Sequence, residues 1–132
     1  MTYGLDTSVL MRLLNRTDDP YVQGVFNRIN TMIADGDDFI ISDLVASEIY
    51  YALQHHYGFS EETAINAMRA IAAAPGFSFS KEAEAALATP EAWKASPGLV
   101  DRMIANGYAS HGHKTLSCEK DFRKLDFTEV IS

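Results

Sequence analysis

Thr2-Tyr3-Gly4-Leu5-Asp6-Thr7-Ser8-Val9-Leu10-Met11-Arg12-Leu13-Leu14 changes character at its middle. The opening Thr2 to Leu5 is short and β-compatible. Asp6, Thr7 and Ser8 are residue types that cap helices, and Val9, Leu10, Met11, Leu13 and Leu14 follow as an apolar helical run. The stretch therefore reads as strand, turn, helix. Its turn carries a carboxylate where open parallel sheets place ligands, just outside the carboxyl end of a strand. Asp is also a preferred cap residue, so Asp6 has two readings here, and Thr7 and Ser8 share them.

The same alternation repeats downstream. After Thr17-Asp18-Asp19, Pro20 stands at a first helical position, and Val22, Val25, Phe26, Ile29 and Ile33 keep helical spacing up to Asp35-Gly36-Asp37. Phe39-Ile40-Ile41 reads as a buried strand. Ser42 or Asp43 caps a helix running to about Tyr57-Gly58, and Ser60-Glu61-Glu62-Thr63 opens another that ends at Pro75-Gly76. Phe77-Ser78-Phe79 alternates like a brief strand, and an Ala-rich helix begins near Ser80 and stops at Thr89-Pro90. A helix from Ser96-Pro97-Gly98 to Gly112, a strand from Lys114 to Cys118, a helical turn from Glu119 to Lys124 and a strand near Phe127 to Ile131 complete the chain. Strands separated by helices imply an α/β fold, a three-layer arrangement with a largely parallel central sheet flanked by helices. The 132 residues fit one domain, 1–132, without repeat or linker.

Composition narrows the class. With 47% hydrophobic and 22% charged residues the chain suits an ordinary globular domain. Cys118 is the sole cysteine, which rules out an internal disulfide and agrees with a reducing cytoplasm. No segment reaches the roughly 18 apolar residues of a membrane span, so a cytoplasmic protein without membrane attachment is expected. The net charge of −7 opposes simple nucleic-acid binding, since non-specific affinity comes mainly from Lys and Arg at phosphates. Carboxylates gathered around divalent cations remove that objection, because the bound ions reverse the local charge.

Several acids stand in suggestive places. Glu48 lies four residues after Leu44 and four before Ala52, which puts it on the expected apolar stripe of its helix. A bare carboxylate buried there costs several kcal/mol, about enough to demand protonation, a basic partner or a cation; the other reading is a Glu at the helix edge that reaches water. Asp101 falls in the first turn of its helix, where the macrodipole favours an acid, and Ile104 and Tyr108 place it beside the apolar face. Glu119 follows a second strand end, which would place it on the same edge of the sheet as Asp6, and Asp121 comes two residues later; either also reads as a solvated helix-start acid. Arg12, Arg16, Arg102 and Lys120 lie close in sequence to these acids and are candidates for flanking phosphates, although solvated charge is the commoner role. His55-His56 reads as a surface pair, because adjacent helix residues diverge by about 100° and cannot share one ion. Trp93 and the tyrosines read as packing residues.

Leu5-Asp6-Thr7-Ser8-Val9-Leu10, Ser47-Glu48-Ile49, Val100-Asp101-Arg102-Met103-Ile104-Ala105 and Ser117-Cys118-Glu119-Lys120-Asp121-Phe122 together resemble the acidic motifs of PIN-domain nucleases. Their order and spacing are most similar to the VapC-type toxin ribonucleases of type II toxin-antitoxin pairs. The resemblance implies a PIN-like sheet whose carboxyl edge brings Asp6, Glu48, Asp101 and Glu119 together as ligands of one or two Mg²⁺ or Mn²⁺ ions. Ser8 would be the polar residue that helps orient water or phosphate. It further implies RNA as substrate, a cognate antitoxin as partner and a homodimer-based assembly. Glu119 departs from the pattern by standing where the family usually has Asp. Gly98 stands where many relatives carry another acid.

Hard oxygen ligands suit Mg²⁺ and Mn²⁺, which lower the pKa of water and neutralise charge developing on a phosphodiester. Hydrolysis on the family's pattern leaves a 5′-phosphate and a 3′-hydroxyl. Like charges packed together are expected to raise one another's pKa. Two rivals stand beside this reading. A haloacid-dehalogenase phosphatase also places Asp after its first strand but needs a second Asp where this chain has Ser8. The other rival is a catalytically weakened, PIN-like protein-binding module.

Overall fold

The computed structural model describes residues 1–15 and 18–131, and it divides into two compact units, Met1–Ser80 and Lys81–Ser132. The first unit holds β1 (Thr2–Gly4), α1 (Thr7–Leu14), α2 (Pro20–Ala34), β2 (Asp38–Ile41), α3 (Asp43–His55), α4 (Glu61–Ala73) and β3 (Phe77–Phe79). Its strands form a parallel sheet in the order β1-β2-β3, with Tyr3 opposite Phe39 and Phe39 opposite Phe77. The three rings run across the sheet, with centroids 6.1 Å and 5.4 Å apart. The Leu5 amide donates to the Ile40 carbonyl at 3.0 Å, carrying the ladder one step past β1 and delivering Asp6 to the strand's carboxyl end.

Capping chemistry sets most helix starts in this unit. Asp19 accepts from the Tyr21 amide with Pro20 in the first turn of α2, Ser42 accepts from Val45 at 3.2 Å at the head of α3, and Ser60 accepts from Thr63 at 3.1 Å at the head of α4. Ser42 is therefore the cap of α3, while Asp43 accepts a hydrogen bond from the Ser80 hydroxyl at 2.5 Å. Leu10, Phe39, Ile49, Leu53, Ile65 and Met68 are almost wholly buried and form the heart of this core.

The second unit holds α5 (Lys81–Leu87), a 3₁₀ turn (Ala92–Lys94), α6 (Leu99–Ser110), β4 (Thr115–Ser117), a 3₁₀ turn (Lys120–Lys124) and β5 (Thr128–Val130). α5 lies against α6 through Ala83, Ala86, Leu87, Leu99 and Met103, all buried, and Asn106 donates to the Glu82 carbonyl at 3.1 Å. Gly112, at φ +75°, makes the left-handed turn that reverses the chain from α6 into β4, a conformation any L side chain would adopt only with strain. β4 and β5 pair in parallel, Leu116 opposite Glu129. The fold is thus mixed α/β with parallel strands, as the alternating pattern implies, its ladders being β1-β2-β3 in one unit and β4-β5 in the other.

Two stripes differ from the sequence reading. In α3 the buried positions are Ala46, Ile49 and Leu53, while Leu44 is 71% exposed and Glu48 is exposed too. The apolar face thus lies about 100° round the helix from where Leu44 suggested, because Glu48 precedes the buried Ile49 by one residue. In α6, likewise, Leu99, Met103 and Ala105 are buried, and Ile104 and Tyr108 are exposed. Phe39-Ile40-Ile41 is half-buried rather than a fully buried strand, with Ile40 outward between two inward neighbours.

Candidate metal centre

Asp6 occupies the N-cap of α1 in extended conformation, yet its side chain makes no capping hydrogen bond. Its Oδ2 accepts instead from the Ser8 hydroxyl at 2.8 Å. One residue earlier on the same turn, the Thr7 hydroxyl donates to Glu48 Oε2, also at 2.8 Å. The turn after β1 thus grips one carboxylate with each of two consecutive hydroxyl-bearing side chains, and each acid keeps one oxygen outside these contacts. Glu48 reaches the turn from the second helical turn of α3, which begins just past the carboxyl end of β2. Parallel pairing of β1 and β2 places both acids at the same end of the sheet.

The Asp6 carboxyl is held below the usual carboxylate range, chiefly by the Ser8 hydroxyl; desolvation opposes the effect, and the Thr7 and Ser8 backbone amides assist it. Those amides favour its charge without the geometry of a capping bond. This corrects the expectation of a carboxyl raised by neighbouring like charge: donated hydrogen bonds stabilise the anion. The burial argument for Glu48 is corrected as well. An exposed carboxylate bears no large desolvation penalty, and what fixes Glu48 is the Thr7 hydroxyl rather than a need for a counter-ion.

In the second unit Asp101 lies in the first turn of α6 and is half-buried. α6 runs into the Gly112 turn and β4 returns alongside it, so the start of α6 and the end of β4 share one end of this unit. A direct contact marks that end: the Ser96 hydroxyl, just ahead of α6, donates to Asp121 Oδ2 in the turn after β4 at 2.6 Å. Glu119 is the exposed residue that leads into that turn, and its amide donates to Ser117 Oγ at 2.9 Å. Asp101 and Glu119 therefore belong to the same end of the second unit, and Asp121 is the acid already engaged there.

Within either unit, and among the described residues, no three His, Cys, Asp or Glu side chains gather into a set able to hold a metal. The turn after β1 holds Asp6 and Glu48 together, while Asp101 and Glu119 share only one end of the second unit; all four are hard oxygen donors of the kind Mg²⁺ and Mn²⁺ take.

Of the cations near these acids, Arg12 is the best anchored. Its Nη1 donates to the Ser8 carbonyl at 2.9 Å, and its guanidinium stands 5.2 Å from the centre of the Tyr21 ring. Arg102 donates to the Pro97 carbonyl at 2.8 Å and Lys120 is exposed, while Arg16 falls outside the described residues. His55 and His56 are both exposed, as a surface pair should be. The tyrosines correct their reading as packing residues, since Tyr21, Tyr51 and Tyr108 are each more than half exposed. Thr7, which shares the two readings of Asp6 in the sequence, is the residue whose role as donor to Glu48 sequence reasoning did not assign.

Residues 3–128 match the family described as PIN domain. None of the curated proteins matches the chain. Among solved structures the chain is similar to VapBC2 from Rickettsia felis bound to a DNA fragment from their promoter, at 16% identity, with 100% of each chain covered and a TM-score of 0.43. No helix among the described residues is long and apolar enough to cross a membrane.

Proposed function

We propose, from the premise that this chain belongs to the PIN-domain family, that it is a Mg²⁺- or Mn²⁺-dependent ribonuclease and the toxin of a VapC-type toxin-antitoxin pair. The observation that carries this is the double hydroxyl grip of the turn after β1, Ser8 on Asp6 and Thr7 on Glu48. Two adjacent side chains orient two acids from different elements, an arrangement that helix capping does not require.

Asp6, Glu48, Asp101 and Glu119 are the ligands in this reading. When bound, the metal supplies Lewis-acid activation of water and neutralisation of charge on the scissile phosphodiester. Ser8 keeps Asp6 ionised and oriented by donating to Oδ2, and Thr7 orients Glu48 by donating to Oε2. Arg12, fixed between the Ser8 carbonyl and Tyr21, presents its remaining N–H groups to a flanking phosphate. A protein of net charge −7 attracts RNA to this place only when the cation is loaded.

Assignment as a toxin implies a small cognate antitoxin and a homodimer-based assembly, in the cytoplasm, and these rest on the similarity of the motifs. The test combines Mn²⁺ titration with cleavage of single-stranded RNA. Metal-dependent thermal stabilisation together with cleavage, both lost in Asp6→Asn, is expected. A protein that neither gains stability from Mn²⁺ nor cuts RNA is instead a PIN-like binding module. Co-purification from the native host with a co-encoded small protein checks the toxin assignment separately.

A further inference from the structure

Tyr51 follows Glu48 by three residues on α3 and is 58% exposed. It is nonetheless held. The His55 ring, one turn on, stacks against it with centroids 4.3 Å apart and planes inclined by 34°, and His56 meets it edge-on at 6.1 Å. An open cavity of about 450 Å³ is lined by Thr7, Ser47, Glu48, Tyr51, Ala52 and His56. His55 backs the Tyr51 ring without itself lining that cavity. The exposed ring borders the same space as Glu48 and Thr7.

We infer that Tyr51, backed by His55 and flanked by His56, is a stacking platform for one unstacked nucleobase of single-stranded RNA next to the Glu48 carboxylate. The reasons are chemical. An aromatic face accepts any base, and base–aromatic stacking is the usual means by which proteins hold single strands without reading their sequence. Such a contact needs no positive charge, which suits a strongly acidic chain. A base seated there leaves its own phosphate within reach of the groups beside Glu48, whereas duplex RNA keeps its bases stacked on one another and cannot offer one. The inference rests on the ribonuclease reading for the identity of the ligand as RNA.

The experiment measures equilibrium binding of a short fluorescent single-stranded RNA in Ca²⁺, with Mn²⁺-dependent cleavage followed in parallel. Tyr51→Ala should weaken binding about 5- to 100-fold and Tyr51→Phe should keep it, because stacking needs the ring and not the hydroxyl. An abasic site moved along the RNA should, at one position, cost the parent protein a similar factor and cost Tyr51→Ala nothing further. Unchanged affinity in a Tyr51→Ala protein that still cuts RNA overturns the platform and leaves the nuclease reading intact; that is also the outcome if the ring serves a protein partner. Weakened binding with the matching abasic position, in a protein that does not cleave, upholds the platform and overturns the nuclease. A parent that binds no single-stranded RNA overturns the platform as well.

Discussion

The Thr7 hydroxyl donates to Glu48 across 2.8 Å and so joins the turn after the first strand to the helix after the second. Both strands are parallel, so their carboxyl ends lie side by side and the elements that leave them begin at one edge. Thr7 is the first residue of α1, where its backbone is already fixed, and its β-branched side chain has few rotamers to lose. Thr7's own share of the entropic cost of the bond is therefore small.

Thr7→Val keeps the shape and removes the hydroxyl. A hydrogen bond of this kind contributes about 0.5–1.5 kcal/mol, so Mn²⁺ affinity and RNA cleavage should each fall roughly 2- to 10-fold. The melting temperature of the metal-free protein should barely move, since the bond is exposed. Calorimetric Mn²⁺ titration of the variant checks this, and an affinity equal to the parent's would show that Thr7 does not position Glu48.

Asp6→Asn should abolish cleavage and leave the metal-free protein folded. The cap position makes no side-chain capping bond that the change would break, and Asn Oδ1 can still accept from Ser8. The pH dependence follows from the depressed carboxyl. Because the folded pKa lies below the unfolded one, the small stabilisation from ionised Asp6 is present above the unfolded pKa and lost as pH falls through the folded value. The stability difference between parent and variant should therefore be flat from about pH 5 to pH 8 and change only in more acid solution. Thermal melts across that range test it, and a variant that unfolds at neutral pH would show that Asp6 is an essential cap.

Much of this arrangement was legible in the chain. Strand, turn and helix at Thr2 to Leu14 are set by local chemistry, and Ser42 and Ser60 cap as their residue types suggest. The acids Asp6 and Glu119 stand directly after strands because an apolar run breaks there. What could not be read is which of two adjacent helix faces is buried, since Leu44 and Ile49 look equally apolar in sequence and only the neighbouring elements decide between them. Nor could Thr7 be matched with Glu48, because that contact depends on the pairing of β1 with β2. The position of Glu119 directly after a strand was readable, but the bond that engages Asp121 was not, because Ser96 carries no sequence signal linking it to that turn.

The placement of the α3 core is directly testable. Ile49→Ala empties a wholly buried site and should destabilise the protein by about 2–5 kcal/mol, whereas Leu44→Ala, at a position 71% exposed, should stay within about 0.5 kcal/mol of the parent. Denaturant unfolding of both proteins distinguishes them. Comparable losses at the two positions would mean that Leu44 is covered and that the stripe containing Glu48 is a buried one.

Glu119 and Asp121 occupy the same turn, and their partners separate them. Asp121 accepts from Ser96 at 2.6 Å, tying the turn after β4 to the start of α6, while Glu119 leads into the turn fully at the surface. Removing Asp121 should therefore act on structure: Asp121→Ala and Ser96→Ala should each cost about 0.5–1.5 kcal/mol, and the double variant little more than either alone, as for two ends of one bond. Removing the charge of Glu119 should act on metal. Glu119→Gln should weaken Mn²⁺ binding by about 10- to 100-fold, the loss seen even for partners of ligands, and slow cleavage without lowering the metal-free melting temperature. Measuring Mn²⁺ affinity and unfolding for all four proteins decides the assignment. If Asp121→Ala abolishes metal binding while Glu119→Gln leaves it untouched, Asp121 is the ligand and its bond to Ser96 is what orients it.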